Sequence, residues 1–198
     1  MIILEHDQGT PEWLQDRIGV PTASQFSNIV TCKGERSKQR TKYLYRLAAE
    51  KITGTREESY QNAAMLRGIE LEPEARKLFE MMTDETVSQV GLCVSDDRKI
   101  GCSPDGLIGD NGGIEIKCPS MAVHVEYLLG GKVPSYYFQQ VQGSLYVTGR
   151  EYWWFLSYYP GMKPLLIRSE RDEKFLSILA KEIALFSEDL EKIVKEIS

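Results

Sequence analysis

Three side chains within one short stretch could do chemistry together. In the run from Ser103 to Pro119, SPDGLIGDNGGIEIKCP, Asp105 opens one predicted strand, and Glu115 and Lys117 stand two apart on the next. A period of two points Glu115 and Lys117 to the same face, and a hairpin between the strands brings Asp105 beside Glu115. Two carboxylates at one point repel unless a cation lies between them, and hard oxygen ligands with retained water suit Mg²⁺. A lysine beside such a cation can stabilise developing negative charge or help orient water. That chemistry is metal-assisted hydrolysis of a phosphodiester. The same residues also fit a solvated hairpin in which Glu115 and Lys117 form a same-face ion pair, and the alternation of Ile114, Ile116 and Cys118 with the charges suits either.

The elements that must position these residues follow from periodicity and punctuation. Helices are predicted near Thr22–Val30, over Ser37–Ile52 ending before Gly54, and over Tyr60–Met82, where Pro73 implies a kink or a fresh start. Thr86–Ser95 reads as a strand, followed by strands at about Asp105–Ile108 and Ile114–Cys118 with a glycine-rich turn, Gly109 to Gly113, between them. Helices return at about Met121–Leu129 and Ser135–Val147, each closed by glycine. The aromatic run EYWWFLSYY reads as a strand, Leu165–Arg168 as another, and a last helix over Asp172–Ile197 has Phe175, Leu179, Ile183, Phe186, Leu190, Val194 and Ile197 on one face. The expected fold is α/β (α+β), a small mixed sheet flanked by helices. With 198 residues and no linker or repeat, one domain over 1–198 is expected.

Composition narrows the chemistry further. Only two histidines, His6 and His124, are present, and the four cysteines, Cys32, Cys93, Cys102 and Cys118, form no CxxC pair, which excludes paired-histidine hydrolases and makes structural zinc improbable. Any reactive site must rely on carboxylates with Lys or Arg. The most apolar run, Tyr152–Tyr159, is far shorter than the roughly 20 residues of a membrane span, and the acidic start MIILEHDQ lacks the features of a secretory signal. A cytoplasmic location is expected. The formal charge is −5, yet Lys33, Arg36, Lys38, Arg40, Lys42 and Arg46 face a single acid, Glu35, in their segment, so a local basic surface can coexist with an acidic total.

Longer stretches resemble a known family, the phage lambda-type exonucleases of viral recombination systems within the PD-(D/E)xK nuclease superfamily. The similarity covers Pro11-Glu12-Trp13, Arg17-Ile18-Gly19, Thr22-Ala23-Ser24, Gly68 through Glu72, Ala75-Arg76 to Phe79-Glu80, CSPDGL and IEIKCP. It continues through Leu128 to Gly131, Gln140-Val141-Gln142, Tyr146-Val147-Thr148 and Glu170 to Lys174, in the family's order.

The resemblance implies a restriction-endonuclease-like core and a Mg²⁺-dependent 5′→3′ exonuclease on duplex DNA ends, with Mn²⁺ as a possible substitute and two ions per site. It implies Asp105, Glu115 and the carbonyl of Ile116 as metal ligands, Lys117 as the catalytic lysine, Glu72 for a second metal or its water, and Gln140 near the scissile region. Without the resemblance, Glu72 reads as a surface acid in a cluster with Glu70 and Glu74. Arg17 and Ser24 match a 5′-phosphate pocket, a sensible pairing because guanidinium binds phosphate bidentately. Thr22 can assist there or simply cap its helix. Trp13 matches an aromatic near the DNA end, and Met65 an apolar residue that wedges into the duplex; both also fit core packing. Lys33, Arg36 and their neighbours offer phosphate-backbone contacts or merely a solvated basic face. The Thr86–Val94 stretch, with Ser88 and Gln89, lacks an acid that some members carry. A homotrimeric ring around DNA, a single-strand annealing partner and a phage or prophage origin in a bacterial host are further implications. Two rivals remain: a superfamily endonuclease that needs no DNA end, and a DNA-binding subunit without chemistry.

Overall fold

The computed structural model describes residues 1–56 and 63–198, with the side chains of 63–65 outside the described set. Among the described residues eight strands form two sheets: β1 (Ile2–Ile3), β3 (Cys93–Val94) and β4 (Gly101–Cys102) in one, and β2 (Val87–Ser88), β5 (Gly106–Ile108), β6 (Gly112–Lys117), β7 (Tyr152–Ser157) and β8 (Leu165–Glu170) in the other. The larger sheet has the order β2-β5-β6-β7-β8; β6 and β7 are parallel and every other neighbouring pair is antiparallel, so the sheet is mixed as expected. Helices α1 (Pro11–Asp16), α2 (Arg40–Thr53), α3 (Ala63–Thr83), α4 (Met121–Gly130), α5 (Ser135–Thr148) and α6 (Glu173–Ile197) surround it, with a 3-10 helix at Ala23–Asn28.

Hydrophobic alternation decides which helix covers which face. Ile114 and Ile116 of β6 and Leu156 of β7 pack with Ala75 and Phe79 of α3. On the other face Trp153 and Phe155 join Val141 and Leu145 of α5 and Leu179, Ile183 and Phe186 of α6. Burying each such side chain contributes roughly 1.5–3 kcal/mol. Because β6 and β7 are parallel, the chain must cross from one end of the sheet to the other between them, and residues 118–151 do so through α4 and α5.

Several expectations are corrected. The single strand read over Thr86–Ser95 is two strands in different sheets, because at Gly91 the backbone passes so close to its neighbours that a Cβ would lie 2.3 Å from the His6 carbonyl oxygen and 2.7 Å from that of Leu4. The helix read over Thr22–Val30 is the shorter 3-10 helix, and α3 continues through Pro73 without a new start. The beginning read for that helix, from Tyr60, lies outside the described residues. Strands β1 and β4 and helix α1, too short for a periodic signal, were not foreseen. The ends of α2, α4 and α5 fall at Gly54, Gly131 and Gly149, all left-handed, as the glycine rule requires.

Candidate active site

The β5–β6 hairpin builds the centre. Its register pairs Gly106 with Ile114, Leu107 with Gly113 and Ile108 with Gly112, which sets Asp105 opposite Glu115. Arg150 fastens the turn by donating from Nη1 to the carbonyls of Ile108, Gly109 and Gly112 at 3.2, 2.7 and 2.7 Å. Asp105 then accepts a 2.6 Å hydrogen bond from the Ile116 N–H.

Glu115 is not on a solvated face: 1% of it is exposed, because α5 covers that side of β6. This removes the open-hairpin reading of the pattern. One carboxylate oxygen accepts from both Lys117 Nζ and Gln140 Nε2, the latter at 2.5 Å. The other oxygen is buried without a partner among the described residues. Such a group is costly for a protein to keep unless it is used. Burial raises the Glu115 carboxyl to about 7, against the pull of Lys117, with Asp105 and Glu72 adding to the rise. Asp105 is raised by burial too, and the Lys117 ammonium stays charged because Glu115 and Asp105 outweigh its own burial.

Glu72 arrives from α3, on the face that carries Ala75 and Phe79 to the sheet. It pairs with Arg76 one turn on, and burial, followed by the nearby charge of Asp105, raises it to about 6. Glu72 therefore belongs to the same electrostatic cluster as Asp105 and Lys117, and is not one of a row of surface acids. Each carboxylate takes the nearest N–H donor, and no three His, Cys, Asp or Glu side chains among the described residues stand at metal-ligand spacing. Chemically the set still fits a hard divalent cation: carboxylate oxygens that raise one another's pKa, and an orphaned oxygen on Glu115.

A cleft of 1120 Å³ leads away from Asp105 and Glu72 past Arg76 and Gln89 to Trp13, Arg17 and Arg56. Trp13 is half-buried, donates from its indole to Ser103 Oγ at 3.2 Å and lies beneath the Arg17 guanidinium, 4.4 Å from ring centroid to Cζ. Arg17 donates to the same Ser103 hydroxyl at 2.6 Å. It pairs with no carboxylate among the described residues, and burial followed by the charge of Arg56 lowers it to about 10. A partly buried guanidinium without a counter-ion is a seat for an anion.

Thr22 stands at the N-cap of the 3-10 helix but makes no capping hydrogen bond, so the capping role expected of it is not realised. Its hydroxyl lies 3.4 Å from that of Ser24, and Thr22 and Arg17 line one small pocket; the described contacts join Ser24 to Thr22 and not to Arg17. Met65 lies in α3 with its side chain outside the described residues. In the basic segment Arg36 bonds Glu182 and Arg40 bonds Asp189, both at 2.8 Å, which ties this segment to α6. Lys33, Lys38 and Lys42 remain exposed. Sequence reasoning missed Ser103, which orients both Trp13 and Arg17 and was visible as part of SPDGL, and Arg76, visible as the i+4 partner of Glu72.

A mixed sheet with this helical cover is a fold shared with exonucleases. The crystal structure of the alkaline exonuclease LHK-Exo from Laribacter hongkongensis is 36% identical, with 95% of this chain and 96% of that chain covered at a TM-score of 0.87. LHK-Exo in complex with dAMP is 37% identical at the same coverage and TM-score. A phage-related exonuclease from Haemophilus somnus 129PT, 13% identical over 90% of this chain and 96% of that chain with a TM-score of 0.68, shares the fold. No curated protein matches. Residues 12–151 match the YqaJ-like viral recombinase domain, and the chain belongs to that family.

Proposed function

We propose that this chain is a single nuclease domain over 1–198, a Mg²⁺-dependent 5′→3′ exonuclease that resects linear duplex DNA to leave a 3′ single-stranded overhang for recombination by strand annealing. The observation that carries this reading is the buried Glu115, one oxygen without a partner among the described residues, bonded to Lys117 and opposite Asp105, which with Glu72 lines the cleft that also holds Arg17. The likeness to LHK-Exo, captured with a deoxynucleoside monophosphate, supports release of mononucleotides.

Asp105, Glu115 and the Ile116 carbonyl would hold a divalent cation, Mg²⁺ or Mn²⁺, and Glu72 a second. When bound, such cations would supply Lewis-acid polarisation of the scissile phosphate and neutralise charge on the attacking and leaving oxygens. Lys117 offers its ammonium to the negative charge that grows on the phosphoryl oxygens. Gln140 fixes the Glu115 carboxylate through its 2.5 Å hydrogen bond. Arg17, with Ser24 and Thr22 at the edge of its pocket, holds the 5′-terminal phosphate and so sets which bond lies at the carboxylates. Trp13 would meet the end of the duplex, and Lys33 and Arg36 would lie along its backbone. A homotrimeric ring would place such basic groups around DNA while the exterior stays acidic, and an annealing protein would take up the exposed strand. No helix among the described residues is long and apolar enough to cross a membrane.

The test is digestion of a linear duplex with and without a 5′ phosphate, with and without Mg²⁺, beside a closed circle of the same DNA. Metal-dependent release of mononucleotides from the 5′-phosphorylated linear DNA alone is expected. Cutting of the circle would replace the reading by an endonuclease, and no cutting of either by a binding subunit.

A further inference from the structure

We infer that Tyr137 is a positioning residue for the reaction: its ring face holds the Lys117 ammonium in place beside Glu115. The inference rests on the nuclease reading above and adds to it a side chain that would act only through Lys117. Lys117 Nζ lies 5.3 Å from the centroid of the Tyr137 ring, within the range of a cation–π contact. The ring is itself braced. Tyr136 packs against it at 4.4 Å between centroids and Phe155 at 5.4 Å. Phe155 is the β7 residue in register with Glu115, so the support comes from the same face of the sheet that carries the carboxylate.

Tyr137 and Gln140 are three apart on α5 and therefore share a helix face. Gln140 reaches the carboxylate of the Glu115–Lys117 pair and Tyr137 reaches the ammonium, so one turn of α5 grips both partners. A lysine on a four-carbon stem has many rotamers to lose, and a single ion-pair bond to Glu115, the one it makes among the described residues, leaves it free to pivot. The aromatic face removes that freedom without consuming any ammonium N–H, so the remaining donors stay available to a phosphate. Among the described residues the Tyr137 hydroxyl bonds neither Lys117 nor Glu115, which makes the ring, and not the hydroxyl, the working part.

The experiment compares Tyr137→Leu, Tyr137→Phe and a chain carrying 3,4,5-trifluorophenylalanine at position 137. The last keeps the ring's shape while draining its face of negative charge, so it remains informative if the leucine variant folds poorly. With saturating Mg²⁺, Tyr137→Leu is expected to lose roughly tenfold in kcat with little change in KM for DNA ends, the fluorinated ring to lose several-fold, and Tyr137→Phe to recover most of the loss. A second readout needs no activity: in metal-free protein labelled with ¹³C-lysine, the ε-methylene signal that disappears in Lys117→Arg should lie upfield of the other lysines, through the ring current of residue 137. It should stay there in Tyr137→Phe and move to the ordinary position in Tyr137→Leu. An ordinary Lys117 signal in the unaltered protein, a kcat unaffected by fluorination, or a phenylalanine variant as slow as leucine would each overturn the inference. Loss of all DNA hydrolysis in the unaltered protein, with the upfield signal present, would instead refute the nuclease reading and leave the contact standing.

Discussion

Replacing Glu115 by glutamine should stabilise the metal-free protein while destroying its activity. The carboxyl is almost wholly buried and moves from the ordinary 4.5 to about 7 in the fold, a value that already includes the attraction of Lys117. Keeping it ionised well above pH 7 therefore costs about 3 kcal/mol relative to the unfolded chain. The sign follows from the raised value. Below pH 4.5 both states carry the proton and nothing is lost; between 4.5 and 7 the unfolded chain ionises first and stability falls; above 7 the full cost applies. Glu115→Gln resembles the protonated form at every pH, still accepts from Lys117, and escapes the cost. Urea unfolding in EDTA should show the variant more stable by about 3 kcal/mol at pH 8 and by less than about 1 kcal/mol at pH 5. Hydrolysis should fall by at least about a hundredfold, and added Mg²⁺ should stabilise the unaltered protein more than the variant. A variant equally or less stable at pH 8, or a difference independent of pH, would refute the claim that Glu115 is held against its own ionisation.

Three further outcomes are expected. Asp105→Ala or Lys117→Ala should reduce DNA hydrolysis by about a hundredfold or more with the circular dichroism spectrum unchanged. Arg17→Ala should slow digestion of 5′-phosphorylated ends by roughly ten- to a hundredfold and leave 5′-hydroxyl ends nearly as they were, read as the ratio of the two rates. Gly143→Ala should destabilise the fold by about 1–3 kcal/mol in thermal or urea unfolding, because the new Cβ would lie 2.5 Å from the Phe26 ring where α5 packs on the 3-10 helix.

The site was legible wherever chemistry and a strong local pattern coincided. A glycine-rich turn between two short strands fixed the pairing of Asp105 with Glu115, and the structure keeps it. Helix α5 was legible because it closes at Gly149, and α6 because its apolar residues repeat on one face behind the Asp172 cap. What the sequence does not disclose is the second face of a strand. Glu115 and Lys117 alternate with Ile114, Ile116 and Cys118, which is equally the mark of a solvated edge, and only the docking of α5 across 25 residues turns that face inward. The Thr86–Ser95 run failed for a related reason: its β-forming residues are continuous, and the break at Gly91 arises from a close approach to Leu4 and His6, residues no local window contains. Ser103 was passed over because a serine beside a proline reads as a turn; its value lies in bonding Trp13 and Arg17, about ninety residues earlier.

The parallel pairing of β6 with β7 also orders events in time. A chain emerging from the ribosome as far as Lys117 possesses Asp105, Glu115 and Glu72, and the local hairpin can close within microseconds. Gln140 and Tyr137 are not yet made, and β7, which flanks β6 along its whole length, follows only after residues 118–151. Contacts of this separation form late, since the entropy of closing the intervening loop must be met before any pairing rewards it. The grip on Glu115 and Lys117 is thus among the last contacts to form, and an incomplete or misassembled chain carries the acids of the proposed DNA-cutting centre without the helix that would complete it.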